Sequence, residues 1–301
     1  MIAERCWVCS SRTRPFWTND QFSAVECLDC RHIQAQHGPL PEASDQDYHR
    51  NYDQDRFVAS LAVTRKRQAA RVLDALQALG PVDSLFDYGC GRGWFLETAK
   101  QRGISRLAGG DVSQLALQLL RENGIRDVQL APTAGPERLN LEAVGFAPQV
   151  VSFLDVVEHF DGDLRALFVP WIADLPATVR LVVFKVPIRE GLLFSLSDVA
   201  RRLGVEGIGR RLFQAGTFPP HYQYFTRRSL ESFVNQIGLR PLRTIDDLDF
   251  EPQELGSRLP PSLKPLQAVA TPAGRLLSTV AEALGRADTR IVIAERRAAG
   301  R

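Results

Sequence analysis

Two short motifs, about one helix apart along the chain, have the residues needed to bind a nucleotide. One motif reads DYGCGRG at residues 87–93, and the other ends at Asp111. Glycines allow a sharp turn and let a ligand approach the bare backbone, while the helix that follows offers unpaired N–H groups and a positive dipole end. A carboxylate that ends the second strand is placed to accept hydrogen bonds from ribose hydroxyls. These residues predict a nucleotide-binding βαβ unit.

The spacing of the glycines favours one kind of nucleotide. A dinucleotide fingerprint requires glycine at the sixth position of G-x-G-x-x-G, and that position is occupied by Trp94. The spacing is instead G-x-G-x-G, and Asp87 lies two residues before Gly89. A carboxylate at this place would repel a pyrophosphate and attract the ammonium group of an amino acid. The sequence therefore predicts a nucleoside that carries an amino-acid group.

These motifs resemble those of the class I S-adenosylmethionine (SAM)-dependent methyltransferases. The similar segments are 87–93, 110–113, 150–160, 181–187 and 221–239. The resemblance covers roughly residues 81–246 and implies an α/β fold with a doubly wound, Rossmann-like, mostly parallel sheet. It also implies SAM as the cofactor. The residues that would bind it are Asp87, Tyr88, Gly89, Cys90, Gly91, Gly93, Asp111, Val112 and Asp155.

Within this set, the resemblance and the residue types together predict distinct roles. The glycines would admit the cofactor, Asp87 would face its amino-acid end, and Asp111 would hold the ribose. Cys90 is expected to be a small side chain beside the cofactor and not a nucleophile.

The segment DVVEH at 155–159 contains the main candidates for catalysis. Methyl transfer is an in-line attack, so the enzyme must align the two reactants, and an acceptor that loses a proton needs a base. A histidine with a pKa near ~6.5 is suited to that task, and His159 is predicted to be the general base. The alternative is that His159 orders its loop through the ring nitrogens. Glu158 would orient the imidazole or cap the following turn, and His221 would bind the substrate or anchor a loop.

The same segment raises the question of a second metal. Its D-x-x-E-H spacing resembles the E-x-x-E-H metal-binding segment of the quinone-pathway O-methyltransferases. Asp155 replaces the first glutamate and shortens its reach by one methylene group. Whether Asp155, Glu158 and His159 share a metal ion is left open by the sequence.

Four of the five cysteines lie near the N-terminus as two C-x₂-C pairs, Cys6 with Cys9 and Cys27 with Cys30. Two such pairs fit a tetrahedral zinc site with four thiolate ligands, and the bound metal would supply the folding energy of so small a module. The alternatives are two disulfides, which an intracellular chain disfavours, and an iron site of the rubredoxin type. The sequence predicts a structural Zn²⁺ in a small N-terminal zinc ribbon.

The net charge of the predicted ribbon indicates which kind of partner it could bind. Residues 1–46 carry more acidic than basic side chains, whereas a phosphate-binding ribbon should be basic. We therefore expect no nucleic-acid partner, although some RNA methyltransferases resemble this layout. The sugar C-methyltransferases also resemble it, with a cysteine zinc module before the SAM domain that forms a wall near the substrate. A purely structural ribbon is the remaining alternative.

Composition and patterning set the domain organisation. The chain has 301 residues, is 45% hydrophobic and 24% charged, and has a net charge of +2, which is typical of a globular protein. No apolar run is long enough to cross a membrane, so we expect a cytoplasmic protein. The predicted divisions are a zinc ribbon at 1–46, a linker and lid helix at 47–80, and the methyltransferase domain at 81–301.

The methyltransferase domain contains an insertion near 189–220 that is both apolar and basic. Its segment 189–216 would cover the acceptor or, as a weaker alternative, contact a membrane surface. The predicted strands are 83–87, 106–110, 127–130, 149–154, 180–186 and 289–294, and the predicted helices are 93–102, 113–123 and 163–174. Residues 247–288 contain no recognisable motif, and the oligomeric state is left open.

The combined expectation is a SAM-dependent methyltransferase that acts on a small molecule. The preferred acceptor is a sugar nucleotide or a related polyhydroxylated metabolite. Two alternatives remain: an RNA methyltransferase that binds its substrate through the ribbon, and a non-catalytic scaffold with a SAM-binding fold.

Overall fold

The chain forms two β-sheets and seven helices within the residues described. The computed structural model describes residues 4–20, 22–38, 55–131, 141, 144–204, 219–254 and 267–297. The strands are β1 (Thr13–Thr18), β2 (Phe22–Cys27), β3 (Ile33–His37), β4 (Ser84–Tyr88), β5 (Arg106–Asp111), β6 (Asp127–Leu130), β7 (Val150–Leu154), β8 (Leu181–Pro187), β9 (Gln223–Tyr224), β10 (Leu239–Asp247) and β11 (Thr289–Arg296). The helices are α1 (Asp55–Ala78), α2 (Trp94–Gln101), α3 (Gln114–Glu122), α4 (Leu164–Ala173), α5 (Leu192–Arg202), α6 (Arg227–Gln236) and α7 (Gln267–Ala283).

The larger sheet is the scaffold of the molecule. Its strand order is β10-β11-β8-β7-β4-β5-β6. The strands from β4 to β8 pair in parallel, while β11 is antiparallel to both of its neighbours. The order reverses between β4 and β7, and ligands of such sheets bind beyond the carboxyl ends of the strands at this point. The predicted α/β fold with a mostly parallel sheet is confirmed.

The central strands are buried because helices cover both faces of the sheet. Every residue of β4 is buried, and so is every residue of β8 except the last. Such strands have continuous apolar runs instead of alternating ones. An aromatic cluster fills one side of the sheet, where the rings of Phe153 and Phe184 stack at 5.5 Å and Phe168 packs against both. This core holds the strand ends in fixed positions.

The smaller sheet is formed mainly by the N-terminal segment. Strands β1, β2 and β3 form an antiparallel meander, and β9 adds to its edge with Ile33 opposite Tyr224 and Gln34 opposite Gln223. Its fourth strand therefore comes from the segment that follows β8. This pairing joins the cysteine-containing module to the rest of the chain.

The six predicted strands and three predicted helices form within one or two residues of the expected bounds. The elements that were not predicted include the strands β9 and β10 and the helices α6 and α7. In the region of the predicted insertion, α5 is described, whereas residues 205–218 lie outside the described part, as do residues 39–54 of the predicted linker. Among the described helices, none combines the length and hydropathy needed to cross a membrane.

Candidate active site

The glycine loop begins directly after β4 and turns through left-handed backbone conformations. Gly89, Gly91 and Gly93 have φ values of 69°, 50° and 77°, which residues with a Cβ rarely adopt. A Cβ at Gly89 would also lie only 2.4 Å from the Cγ2 atom of Val156. Gly93 is the N-cap of α2, so the loop delivers the chain to the start of a helix.

A cavity of about 470 Å³ lies beside this loop, at the carboxyl ends of β4, β5, β7 and β8. The residues of the predicted site that line it are Asp87, Tyr88, Gly89, Cys90, Gly91, Asp111, Val112, Asp155 and His159. Three other predicted residues, Gly93, Glu158 and His221, are not among its lining residues. Sequence reasoning missed several lining residues, including Arg65, Trp94, Lys185, Pro220 and Tyr222.

Asp111 connects the two halves of the βαβ unit that was predicted to bind a nucleotide. Its Oδ2 atom accepts a hydrogen bond from the backbone N–H of Gly91 at 2.8 Å, and its Oδ1 atom accepts one from the N–H of Ser113 at 2.9 Å. Ser113 in turn caps α3. The carboxylate is therefore held in one orientation at the edge of the cavity, with its oxygens fixed by backbone donors.

Asp87 lies deeper in the same crevice. Its Oδ1 atom accepts a hydrogen bond from the hydroxyl of Ser152 at 2.6 Å. Burial raises the pKa of Asp87 to about 7, and the nearby carboxylates of Asp111 and Asp155 add to this increase. A cation placed beside Asp87 would favour its charged form. Asp87 is thus suited to a ligand that carries an ammonium group.

Two other predicted residues of the loop, Tyr88 and Cys90, have side chains that stay protonated at neutral pH. Burial raises the pKa of the Cys90 thiol well above its usual value, so the thiol is protonated at neutral pH and a poor nucleophile. Burial also raises the pKa of Tyr88. Trp94 and Phe95, at the start of α2, provide apolar wall area for a flat ring.

A network of charged residues, of which Lys185 is buried and the others are partly exposed, forms another wall of the cavity. Both carboxylate oxygens of Asp155 accept hydrogen bonds from Nζ of Lys185, at 2.6 and 2.5 Å. Arg65 of α1 lies 3.2 Å from Asp155 and 2.5 Å from Asp249. Burial and the charge of Arg65 lower the pKa of Lys185. Asp155 is therefore engaged by two cations.

Glu158 and His159 belong to a single 3₁₀ turn, Val157–His159. The Nδ1 atom of His159 lies 2.8 Å from the carbonyl oxygen of Pro220. Because a carbonyl only accepts, Nδ1 carries the proton in the neutral ring and Nε2 has the free lone pair. Burial lowers the pKa of His159. This geometry gives the neutral imidazole that a base requires.

His221 and Glu158 lie behind His159. The rings of His159 and His221 are 4.7 Å apart and nearly perpendicular, and burial together with the charge of His159 lowers the pKa of His221. Glu158 is 1% exposed, and its Oε2 atom has no hydrogen-bond partner in the described part of the chain. Burial raises the pKa of Glu158 well above its usual value. The atoms that lie within 4.8 Å of one another belong to Glu158, His159 and His221, so this cluster does not include Asp155.

The four N-terminal cysteines converge on one point. Sulfur–sulfur distances are 3.7 Å for Cys6 and Cys30, 3.5 Å for Cys9 and Cys27, and 3.4 Å for Cys9 and Cys30. A tetrahedral zinc with bonds of about 2.3 Å would separate its sulfurs by about 3.8 Å. The backbone N–H groups of Val8 and Cys30 each lie 3.4 Å from a sulfur. This donor set fits a single tetrahedral metal ion.

Comparison with known structures returns methyltransferases of low identity. A SAM-dependent methyltransferase from Archaeoglobus fulgidus is 16% identical, with coverage of 83% of this chain and 98% of that chain and a TM-score of 0.47. The magnesium protoporphyrin IX methyltransferase of Synechocystis PCC 6803 is 17% identical, with coverage of 84% and 94% and a TM-score of 0.49. The geranyl diphosphate C-methyltransferase of Streptomyces coelicolor is 18% identical, with coverage of 85% and 86% and a TM-score of 0.48.

The sequence itself gives the stronger comparison. No curated protein matches the chain, but residues 61–244 match the profile of the family described as "Methyltransferase domain". The match includes the glycine loop, Asp111 and His159, and it spans more than half of the 301 residues. The chain therefore belongs to the methyltransferase-domain family.

Proposed function

We propose that this protein transfers a methyl group from SAM to a small molecule, and that the preferred acceptor is a sugar nucleotide or a related polyhydroxylated metabolite. The main support is that one cavity joins a nucleoside-binding wall to a neutral histidine. Asp111 and the glycine loop lie at one end, and Nε2 of His159 is the free ring nitrogen at the other. Few ligands other than SAM and its acceptor would need both the wall with Asp111 and the neutral histidine.

The residues of the first wall fit SAM. Asp111 would hold the ribose hydroxyls, the backbone at Gly89 and Gly91 would allow close approach, and Asp87 would face the ammonium of the amino-acid end. Trp94 and Phe95 would pack against the adenine. When bound there, SAM supplies an electrophilic methyl group on a sulfonium centre.

The chain's own contribution to the reaction would be alignment and proton removal. His159 would accept the acceptor's proton at Nε2, while the carbonyl of Pro220 holds the Nδ1 proton and fixes the ring. The lowered pKa keeps the imidazole neutral and able to act as a base at physiological pH. His221 would limit the movement of the ring by its perpendicular contact.

The second wall suits an acceptor with several hydroxyl groups. Arg65 and Lys185 offer N–H donors, and Asp155 and Asp249 offer acceptors. The two cations are matched by two carboxylates, so the wall has little net charge and would not by itself select a free anion. Alternating donors and acceptors would suit neighbouring hydroxyls, each of which both donates and accepts.

A structural zinc in the four-cysteine cluster is part of the proposal. So are the division of the chain into a ribbon, a linker with a lid helix and a methyltransferase domain, and the role of the insertion as an acceptor cover. The guanidinium groups of Arg14, Arg31 and Arg189 lie around the buried carboxylate of Glu26. Two of these cations belong to the ribbon and one to the insertion, and all three are engaged by Glu26 within the protein, which supports a small-molecule acceptor over RNA.

The test has two stages. Calorimetry with SAM, NAD and ATP should show binding of SAM alone, and occupation by NAD or ATP while SAM is ignored would overturn the proposal. Candidate acceptors, led by sugar nucleotides, are then incubated with methyl-labelled SAM and examined by mass spectrometry. Appearance of labelled product and S-adenosylhomocysteine is the expected result, and an Asp111→Ala variant serves as the control for cofactor dependence.

A further inference from the structure

A buried glutamine joins the N-terminal sheet to the turn that carries His159. Gln223 and His32 are both fully buried, and Nε2 of His32 lies 2.8 Å from Oε1 of Gln223. The side-chain amide of Gln223 donates to the carbonyl oxygens of Phe160 at 2.8 Å and Gly162 at 3.2 Å. Its acceptor and both of its donors are therefore used away from water, which is typical of a residue that fixes its neighbours.

The main chain on either side of Gln223 makes the same connection. The carbonyl of Tyr222 accepts from the N–H of Ala35 in the sheet, and the N–H of Tyr222 donates to the carbonyl of Glu158, both at 2.8 Å. On the other side, the hydroxyl of Thr226 donates to the carbonyl of Cys30 at 2.8 Å. The segment 219–226, here called the bridging segment, is thus held by the sheet on one side and holds the turn on the other.

The bridging segment also contacts the proposed base directly. Its carbonyl at Pro220 lies 2.8 Å from Nδ1 of His159, and the ring of His221 packs against the same imidazole. The order of contacts runs from His32 to Gln223, from Gln223 to the carbonyls after the turn, and from the bridging segment to His159. The cysteine-containing sheet lies at the beginning of this chain of contacts.

We propose that Gln223 is a positioning residue for His159, that His32 fixes the orientation of Gln223, and that the N-terminal sheet is thereby part of the acceptor side of the active site. This inference rests on the proposed role of His159 as the base. Loss of the Gln223 amide would leave the buried carbonyl of Phe160 and the partly buried carbonyl of Gly162 without their donor, so the turn would open toward water. Among the described residues, the side-chain hydrogen bonds of Gln223 do not involve the glycine loop or Asp111, so both would keep their geometry.

The first test compares two buried glutamines that face each other across β3 and β9. Gln223→Met removes the bridge, whereas Gln34→Met removes bonds that stay within the ribbon, to the backbone of Trp7 and Arg5. Hydrogen exchange of peptides covering 157–163 should accelerate by about ten-fold or more in Gln223→Met. It should stay at the wild-type rate in Gln34→Met. Equal rates in the wild type and in Gln223→Met would overturn the inference.

A second readout reports on the histidine itself. In protein labelled with ¹⁵N-histidine, the His159 ring should be the Nδ1–H tautomer, with a depressed pKa set by burial and opposed by Asp155. In Gln223→Met the pKa of His159 should rise toward its ordinary value, and its single tautomer should be lost. The signals of His221, whose ring packs against His159, should change as well. Gln34→Met should leave both signals in place. Identical changes in the two variants would indicate general loosening and would refute the positioning role.

Two further measurements keep the result interpretable. Metal content and SAM affinity of Gln223→Met should stay within about two-fold of the wild type, because the side-chain hydrogen bonds of Gln223 go to His32, Phe160 and Gly162 and not to the four cysteines, the glycine loop or Asp111. If Gln223→Met does not fold, Gln223→Glu keeps the acceptor for His32 and removes both amide donors, and the same readouts apply. Failure of the wild type to bind SAM would overturn the proposed function, while the exchange result would still decide whether Gln223 holds the turn.

Discussion

Both carboxylate oxygens of Asp155 accept hydrogen bonds from Nζ of Lys185, although the backbone of Asp155 itself lies in the left-handed region at φ 58°. Lys185 is 2% exposed, and the next carboxylate, that of Asp249, lies 4.0 Å from its Nζ, so its charge depends mainly on Asp155. Non-glycine residues in this conformation cluster at functional sites, where surrounding contacts maintain the strain. The pair stands at the end of two adjacent strands, where an acceptor would meet the cavity wall.

Removing only the carboxylate of Asp155 should lower the free energy of unfolding more than removing the charges of both Asp155 and Lys185. Asp155→Asn keeps a residue that tolerates the left-handed backbone, but it leaves the ammonium of Lys185 buried without its main partner. We expect the free energy of unfolding to fall by about 3 kcal/mol, measured by urea denaturation. The double variant Asp155→Asn with Lys185→Met should recover a large part of that loss. Strictly additive losses would show that the two residues are not coupled.

The pKa of Asp87 predicts a pH-dependent cofactor affinity. Because burial raises this pKa to about 7, the neutral acid prevails below pH 7 and the carboxylate above it. The ammonium of SAM favours the carboxylate, so affinity should increase by about five-fold between pH 6 and pH 7. Calorimetry in buffers of different ionisation enthalpy should detect proton release on binding at pH 6. In Asp87→Asn, binding should be weaker and independent of pH over this range, and a persisting slope would assign the effect to another group.

Asp111 should contribute mainly to binding of the cofactor. Asp111→Ala removes the proposed ribose acceptor and the partner of the Gly91 and Ser113 N–H groups. A hydrogen bond to a charged group contributes about 1.5–3 kcal/mol, so SAM affinity should fall by at least about ten-fold. The exposed carboxylate of Asp74 provides the control, because Asp74 is not among the residues that line the cavity. Unchanged affinity in Asp111→Ala, measured by calorimetry, would remove Asp111 from the cofactor site.

Replacement of His159 should affect turnover much more than cofactor binding. We expect His159→Gln to lower kcat by about 10²-fold or more and to leave the SAM affinity near that of the wild type. The imidazole acts in its neutral form, so the wild-type rate should fall as pH drops through the His159 pKa. Since burial lowers that pKa, the fall should begin below the usual histidine range. Full activity of His159→Gln, followed by release of S-adenosylhomocysteine, would exclude it as the base.

The cysteine cluster should hold close to one zinc ion per chain. Mass spectrometry of the metals in the purified protein measures this directly, and chelation should lower the melting temperature because metal binding contributes folding free energy. Cys27→Ser should lose the metal. Cys90→Ser should retain it, since the fifth cysteine lies apart in the glycine loop. Metal-free wild-type protein of unchanged stability would contradict the assignment.

The elements that the sequence predicted well are those with a strong local pattern. The strands that lead to Gly89 and Asp111 are short, almost entirely buried segments with glycine at or near their ends, and each forms close to its predicted position. β10 was missed because it is an edge strand, contains Pro241 and alternates irregularly between exposed and buried residues. α7 was missed because Pro272 lies inside it and prolines precede it.

Parts of the candidate site depend on contacts that no local pattern carries. β9 is two residues long and joins a sheet whose other strands are far away in the sequence. The one local signal that was available is Lys185, a lone cation within an apolar strand. Such a residue in a buried strand requires a charged partner, and this reasoning would have indicated Asp155 at the adjacent strand end. Arg65 lies on α1, and nothing in its helical pattern indicates that it faces the cavity.

The position of β11 has a consequence for how the chain matures. β11 is the last of the described strands along the sequence, yet it lies between β10 and β8 in the sheet. During synthesis, β4, β5 and β7 can assemble the crevice early, while the edge of β8 stays open until Thr289–Arg296 has left the ribosome. An open edge is a template for pairing with other chains. A nascent chain of this protein is therefore expected to gain affinity for its ligand before it gains protection from aggregation, and chaperones would act in that interval.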